Sequence, residues 1–303
     1  MTHSHSNVND AAHALPTVLT LSGSDGSGGA GLQADLKTIS ALQGYALTVP
    51  TAITAQNSRG VHSVHPLPAH VIKAQLQAIF DDYQPHAIKM GMLANHATIE
   101  VILTFLQPYC QQHPHVHVVV DPVLVSSSGR ALLEPSALDL FIQDILPLST
   151  VLTPNVPEVN RLLNAQFKGQ AGEIEQMAQG FFALGVPNVL IKGGHSVEPH
   201  AIDYLVMLSQ QGTLNPHHTF ATARLNTPHT HGTGCTLASA LATELAKGQP
   251  LINAVQNAKT YLFNALSHAH NAQPRYLNIN NNTGHSDKDN SRHGGLNHFY
   301  AVR

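Results

Sequence analysis

Apolar residues along this chain follow two alternating rhythms, and the alternation predicts the fold class. Val18-Leu19-Thr20-Leu21 is a short apolar run ending in a glycine-rich turn, Ser22 to Gly31, after which Leu32, Leu36, Ile39 and Leu42 recur at helical spacing. That order reads strand, turn, helix. The theme repeats: Ala46 to Ala55 predicts a strand, Val71, Leu76, Ile79 and Phe80 a helix, Ala87 to Met90 a strand, and Ile99, Ile102, Leu103 and Leu106 a helix. Val116 to Val120 is a continuous apolar run of the kind buried on both faces of a parallel sheet. Val151-Leu152-Thr153 and Val189-Leu190-Ile191 predict two more strands, with Val159, Leu162 and Leu163 marking a helix after the first.

From Tyr204 the rhythm changes. Tyr204 to Leu208 and Phe220 to Leu225 read as strands with no helix between them, joined through Gln210-Gln211-Gly212, which predicts an antiparallel edge. Helices from Gly232 to Ala246 and from Leu251 to Ala269 close the pattern. The expected fold is α/β, with a mostly parallel central sheet. No repeat or composition shift divides the chain, so a single domain over 17–303 is expected after a disordered leader at 1–16. Residues 278–292 are rich in Asn, Ser, Gly, Asp and His and predict a mobile polar insertion, with order returning at Gly294 to Phe299.

Composition narrows the function classes. A chain of 303 residues with 43% hydrophobic content can bury a sizeable core. With a net charge of −3 and only 11% charged residues, there is no basic face for nucleic acid and no polybasic patch for a membrane. No apolar run approaches the roughly 18 to 20 residues of a membrane span, and the N-terminus lacks the regions of a secretory signal, so a cytoplasmic location is expected. Cys110 and Cys235 are the only cysteines, too few for a disulfide framework, and they form no CxxC pair. Most of the 22 histidines fall in polar turns or near the ends. His113, His115 and His117 alternate at a strand entrance, which offers either a metal site or a solvated loop.

The candidate chemistry lies where strands end. Gly26-x-Gly28-x-x-Gly31 spells the dinucleotide fingerprint, but a Rossmann unit needs an acidic residue about 20 positions on, and the next strand ends in Gln56-Asn57. These glycines are therefore read as letting backbone approach a small ligand. Asp121 closes a central strand, the place where α/β sheets carry their chemistry, although a plain strand-ending turn is the alternative. The most distinctive stretch is His231-Gly232-Thr233-Gly234-Cys235-Thr236, a glycine turn opening a helix whose unpaired N–H groups and dipole suit an anion. Cys235 falls in the first turn, where that field is expected to lower the thiol pKa below the free value of roughly 8.5. Its alternative is a core thiol behind a tight packing turn. Asp25, Asp35, Gln56, Asp121, Asn155, Glu158, Lys192 and the Gly232–Cys235 turn together supply acids for a metal, a lysine for phosphates and an anion hole, the parts that phosphoryl transfer needs. The chain has neither a Gly-Lys-Ser/Thr loop nor the His-Arg-Asp and Asp-Phe-Gly pieces of protein kinases, so another kinase architecture is implied.

Several longer motifs stand in register along the chain: Gly23-Ser24-Asp25-Gly26-Ser27-Gly28-Gly29-Ala30-Gly31-Leu32-Gln33-Ala34-Asp35, Thr54-Ala55-Gln56-Asn57, Lys89-Met90-Gly91-Met92-Leu93, Asp121-Pro122-Val123, Thr153-Pro154-Asn155-Val156-Pro157-Glu158, Lys192-Gly193-Gly194-His195 and His231 to Thr236. From Val18 to Ala269 their order and spacing resemble the hydroxymethylpyrimidine/phosphomethylpyrimidine kinases of thiamine biosynthesis. The resemblance implies a ribokinase-like fold with helices on both faces of the sheet, and ATP and Mg²⁺ as cofactors. It also implies successive phosphorylation of 4-amino-5-hydroxymethyl-2-methylpyrimidine to its mono- and diphosphate by a homodimer. By position it puts Gln56 on the pyrimidine ring, with Gly23, Asp35, Met92 and Val123 completing the pocket. Asp121 and Glu158 would surround magnesium, Lys192, Asn155 and Thr233 would meet the nucleotide, and Gly232-Thr233-Gly234 would hold the transferred phosphoryl. Cys235 would take the hydroxyl proton as thiolate. His229, where the family commonly has asparagine, and the polar insertion are departures from its pattern. A vitamin B6 kinase acting on pyridoxal or pyridoxine is the nearest alternative, and a non-catalytic pyrimidine-binding regulator is a second.

Overall fold

A computed structural model describes residues 15–126, 129–194, 199–209, 216–272 and 294–301. The leader up to residue 14, the Gln210-Gln211-Gly212 turn, His195 and the polar 278–292 stretch lie outside the described residues. Nine strands form one sheet in the order β3-β2-β1-β4-β5-β6-β7-β8-β9. They are β1 (Thr17–Asp25), β2 (Tyr45–Asn57), β3 (Gly60–Pro66), β4 (Ala87–Met90), β5 (His117–Val120), β6 (Val151–Leu152), β7 (Asn188–Lys192), β8 (His200–Met207) and β9 (His218–Ala223). The six from β2 to β7 pair in parallel. The expected antiparallel edge is present in β8 and β9. A second one, β3 against β2, was not legible because its residues, Gly-Val-His-Ser-Val-His-Pro, carry no buried apolar face.

The helices are α1 (Gly31–Ala41), α2 (Ala69–Phe80), α3 (His96–Gln112), α4 (Leu138–Leu140), α5 (Val156–Leu163), α6 (Ile174–Ala183), α7 (Thr233–Ala246) and α8 (Leu251–Ser267). α4 is the one α-helical turn of a mixed helical stretch spanning 135–148. The sequence reading passed over both this stretch and α6. The signal for α6 was present, since Ile174, Met177, Ala178 and Phe181 fall at i, i+3, i+4 and i+7 and are all buried.

Why the central strands are apolar throughout follows from the layers. Leu19, Leu21, Val118 and Val120 pack on one side with residues of α2, α3, α5 and α6, while Val18 and Val119 pack on the other with residues of α7 and α8. Successive side chains point to opposite faces of a strand, so burial on both faces removes the polar alternation. The expectation of helices on both faces is met.

β1 has β2 on one side and β4 on the other, so the chain leaves it outward and returns on its opposite flank. Such a reversal parts the connections leaving neighbouring strands and opens a crevice at their carboxyl ends. Beneath that crevice lies a buried charge pair. Lys89 Nζ of β4 donates to Asp35 Oδ1 and Oδ2 of α1 at 2.9 and 2.8 Å. Thr20 of β1 donates to Oδ2 at 2.6 Å, and Ser239 of α7 donates to Oδ1 at 2.7 Å. Burial alone would lower the Lys89 pKa, but Asp35 outweighs it and raises the value, keeping the ammonium charged.

Removing one partner of such a pair strands the other in a medium that cannot solvate it. Lys89→Met is expected to lower unfolding stability by about 3–5 kcal/mol, read by urea titration at neutral pH. A loss below about 1 kcal/mol would overturn the reading of this pair as a mutually dependent buried contact.

Candidate functional site

The carboxyl ends of the parallel strands bring together residues that lie far apart in sequence, in two neighbouring groups. The first gathers β5, β7 and the starts of α5 and α7. Lys192 Nζ, at the end of β7, donates to Asp121 Oδ1 at 2.8 Å and stands 3.7 Å from Glu158 Oε2. Gly234, in the first turn of α7, faces this pair: a Cβ built on it would lie 3.5 Å from both Asp121 Oδ2 and Lys192 Nζ. The Thr233 N–H is taken by the Thr230 carbonyl at 3.4 Å and the Thr236 N–H by that of Gly232 at 2.9 Å, which leaves the Gly234 and Cys235 N–H groups, without a carbonyl inside the helix, as the donors that open beside a lysine and a carboxylate.

Asn155 and Glu158 have a local duty as well. The Asn155 side chain accepts from the Glu158 N–H at 2.9 Å, and Glu158 Oε2 accepts from the Asn155 N–H at 2.8 Å, closing a capping box at the start of α5. The Asn-Val-Pro-Glu spacing carried that signal. Burial raises the Glu158 pKa to about 7, with Lys192 opposing and Asp121 reinforcing the rise. Asp121 and Glu158 together hold the Lys192 pKa above its ordinary value against the effect of burial.

The second group gathers the ends of β1, β2 and β4. Met92 follows β4, and a Cβ on Gly23 would meet its sulfur at 2.8 Å. Met92 also shares a small apolar cluster with Ala52, Ala94 and Val123. Gln56, near the end of β2, has its amide between Thr54 Oγ1 and His231 Nε2, each at 3.2 Å. His231 Nε2 also meets Asp25 Oδ2 at 2.8 Å. Asp25 accepts in addition from the Ser27 N–H, the Ser27 hydroxyl and the Ala30 N–H.

Cys235 stands between the groups, where α1 and α7 begin side by side. The Gly31 N–H donates to its sulfur, and Lys89, Asp35 and Asp121 are its charged neighbours. The expected lowering of its pKa is overturned: burial pushes the thiol up to about 11, and Asp35 and Asp121 add to the rise against Lys89. Two buried carboxylates and a desolvated sulfur outweigh the helix field, so Cys235 rests as a neutral thiol.

Asp35 has no solvent exposure, and its four acceptor positions are filled by Lys89, Thr20 and Ser239, so here it faces no open pocket. Lys89 and His231, both within quoted motifs, received no role from the sequence. A lysine inside an apolar strand was the signal for the first, because a buried charge requires a partner. Part of the glycine turn is required by the chain's own packing: Gly31 adopts φ +55° and its Cβ would sit 2.3 Å from the Gly23 carbonyl oxygen, while a Cβ on Gly26 would meet nothing within 4 Å. Gly232 adopts φ +84° and its Cβ would sit 1.9 Å from that of Gly29, so the two loops interlock at a distance only glycine allows. His113 is engaged with Gln84 and Tyr109, and no cluster of three or more His, Cys, Asp or Glu able to hold a metal occurs among the described residues.

A mostly parallel sheet with antiparallel edges, and a helix that opens beside an acid and a lysine, are those of a phosphotransferase of the ribokinase-like class. The chain belongs to the phosphomethylpyrimidine kinase family, whose sequence profile matches residues 25–280. It is 41% identical over 254 residues to the hydroxymethylpyrimidine/phosphomethylpyrimidine kinase of Haemophilus influenzae, covering 83% of this chain and 91% of that one. Among solved structures it resembles the phosphomethylpyrimidine kinase of Clostridium difficile 630, with 36% identity, a TM-score of 0.69, and 83% of this chain and 99% of that one covered. It also resembles a pyridoxal kinase of Staphylococcus aureus in complex with AMP-PCP, at 30% identity and a TM-score of 0.78 over 96% of each chain.

The Asp25 contacts set an acid dependence. Burial alone would raise its pKa, but hydrogen bonds from His231 and Ser27 lower it from 3.8 to about 2. A depressed carboxyl stabilises the fold above its unfolded pKa and loses that contribution as pH falls through the folded one. Between pH 5 and pH 2 the stability advantage of the wild type over Asp25→Asn is expected to shrink by about 2 kcal/mol, measured by urea unfolding at both values.

Proposed function

We propose that this chain transfers phosphate from ATP to the hydroxymethyl group of 4-amino-5-hydroxymethyl-2-methylpyrimidine and then to the monophosphate, giving the diphosphate for thiamine biosynthesis. The observation that carries the reading is the convergence at Gly234, where the α7 start opens beside Asp121 and Lys192. Donors aimed at a phosphoryl group, with a fixed ammonium next to them, stabilise the charge spread over its oxygens in a loose transition state. Relatives named for both phosphorylations, together with a relative named as a thiamine biosynthesis bifunctional protein, support the substrate and the pathway.

In this reading Gln56 meets the aminopyrimidine edge, Gly23, Met92 and Val123 line the ring pocket, and Asp35 acts from beneath through Lys89. Lys192, Asn155 and Thr233 face the nucleotide, and the Gly232-Thr233-Gly234 turn receives the transferred group. Magnesium would be held by Asp121 and Glu158. The donor set fits, because two carboxylates converge there around Lys192, and Mg²⁺ is ordinarily bound through one or two carboxylates plus substrate phosphates. When bound, it would supply positive charge to the substrate phosphates. The site belongs to one kinase domain over 17–303, and the proposed working form is a cytoplasmic homodimer, in keeping with the family resemblance. No helix among the described residues is long and apolar enough to cross a membrane.

The likeness to pyridoxal kinases favours a second reading, phosphorylation of pyridoxal or pyridoxine, whose hydroxymethyl-bearing ring would enter the same pocket. A non-catalytic regulator has no such support, since Asp121, Lys192 and the α7 turn converge as a transfer site would need.

An ATP-dependent assay following monophosphate and diphosphate separately, with pyridoxal in parallel, tests the proposal. Both pyrimidine products are expected, at higher kcat/KM than for pyridoxal; absence of the diphosphate removes the second step, and a preference for pyridoxal transfers the reading to the alternative. Cys235 as proton acceptor makes a prediction of its own. With the thiol near 11, the thiolate fraction at pH 7 is small and grows about tenfold per pH unit, so the rate of the first transfer is expected to climb correspondingly from pH 7 to 9. Cys235→Ala should abolish that climb and most of the activity on the alcohol. A flat wild-type profile, or an active alanine variant, would assign the proton elsewhere.

A further inference from the structure

The two amide heavy atoms of Gln56 are gripped from opposite directions, and hydrogen-bond chemistry decides which is oxygen and which is nitrogen. Thr54 Oγ1 has a single proton, and it donates that proton to the Ser24 carbonyl oxygen at 2.8 Å. The structure sets Gln56 Oε1 toward this hydroxyl at 3.2 Å and Nε2 toward His231, but a hydroxyl whose proton is given to Ser24 can only accept there, so the two amide ends must be exchanged. The amide atom facing Thr54 must be the NH₂ group. On the other side, His231 Nε2 lies 2.8 Å from Asp25 Oδ2, and Asp25, whose pKa is about 2, is a carboxylate that can only accept. Nε2 must then carry a hydrogen, committed chiefly to Asp25, and keeps no lone pair to accept an N–H, so the Gln56 atom facing it at 3.2 Å must be the oxygen, which shares that hydrogen as the weaker branch. Two independent constraints give the same answer, with the oxygen toward His231 and the NH₂ toward Thr54.

That orientation matters because an amide is read by its handedness. With one N–H given to Thr54 and one lone pair turned toward the hydrogen that His231 shares with Asp25, Gln56 keeps one acceptor and one donor, in a fixed order, for whatever enters the pocket. A 4-aminopyrimidine edge offers a ring-nitrogen acceptor beside an amino donor. The 4-oxo analogue, in its N–H form, offers a donor beside an acceptor, the reverse order. An amide free to rotate by half a turn would pair with either edge. An amide held in one sense pairs with one and opposes the other with donor against donor.

We infer that Thr54 on one side, and His231 held by Asp25 on the other, are positioning residues that lock the Gln56 amide in one orientation and thereby select an aminopyrimidine edge over its oxo counterpart. The inference rests on the proposed reading in which Gln56 faces the substrate ring. The Asp25 carboxylate is itself fixed by Ser27 and by the Ala30 N–H, so the lock is anchored in the β1–α1 turn. The His231 ring is held in place by Gly29, where a Cβ would lie 2.5 Å from His231 Cδ2.

The test is the ratio of kcat/KM for the 4-amino alcohol to that for its 4-oxo analogue, measured in the wild type, Thr54→Val, His231→Ala and His231→Gln, with the melting temperature of each recorded. Thr54→Val and His231→Ala, changed on opposite sides of the amide, are each expected to lower the ratio by about tenfold or more, and His231→Gln, which keeps an N–H donor, to recover most of it. A merely structural role would lower both rates together and leave the ratio unchanged. If the folded Thr54→Val enzyme keeps the wild-type ratio, the lock is overturned, even should His231→Ala fail to fold; Thr54→Ser replaces Thr54→Val as the reporter of lost apolar packing and is expected to keep the ratio. If the wild type phosphorylates neither pyrimidine alcohol, the functional reading fails instead, so the two failures are distinguishable.

Discussion

The structure depends on a carboxylate that water never reaches. Asp35 accepts four hydrogen bonds from Lys89, Thr20 and Ser239, and so ties α1, β4, β1 and α7 to one point beneath the crevice. A charge in that position is tolerable only because every acceptor site is filled and an ammonium lies against it; such a network rigidifies when complete and is costly when broken. Its placement under the β1/β4 reversal gives the strand ends above it a common floor. Cys235, whose charged neighbours include both members of the pair, feels that floor directly.

Above it, in the proposed reading, the molecule separates two tasks. One end presents a lysine, an acid and helix N–H donors in a cluster suited to phosphate, and the other presents an apolar sulfur, a valine and an amide suited to a flat ring. The loops carrying the two ends interlock at Gly232 and Gly29, so neither can shift without the other. That contact, with the His231 ring against Gly29, requires glycine at both positions. It also brings His231 from the start of one loop against Asp25 in the other, 206 positions away in sequence.

Much of the architecture was legible in the sequence, because buried parallel strands and amphipathic helices leave periodic marks. β4 was read at its actual bounds, and β1, β5, β7, α7 and α8 within a few residues. β3 escaped because an exposed edge strand needs no apolar face, while α6 had a readable period that went unused. Site residues were legible as types at strand ends, Asp121, Lys192 and the Gly232 turn above all. Their partners were not. Asn155 and Glu158 looked like free ligands, and pairing showed that they also cap α5; Asp35 looked like a pocket residue, and burial put it under the floor.

The sequence by itself determined the fold class and the list of groups at the strand ends, which follow from periodicity and local motif, and it carried the family through the resemblance of several long motifs. Tertiary structure alone decided how those groups behave. Local reasoning about a helix start predicted an acidified thiol at Cys235, but its pKa answers to the burial and the two carboxylates that distant segments bring to it. Likewise the handedness of the Gln56 amide is written in no motif. It follows from which atoms Thr54 and His231 have already committed to other partners, because a hydrogen-bonding group has only so many protons and lone pairs to give.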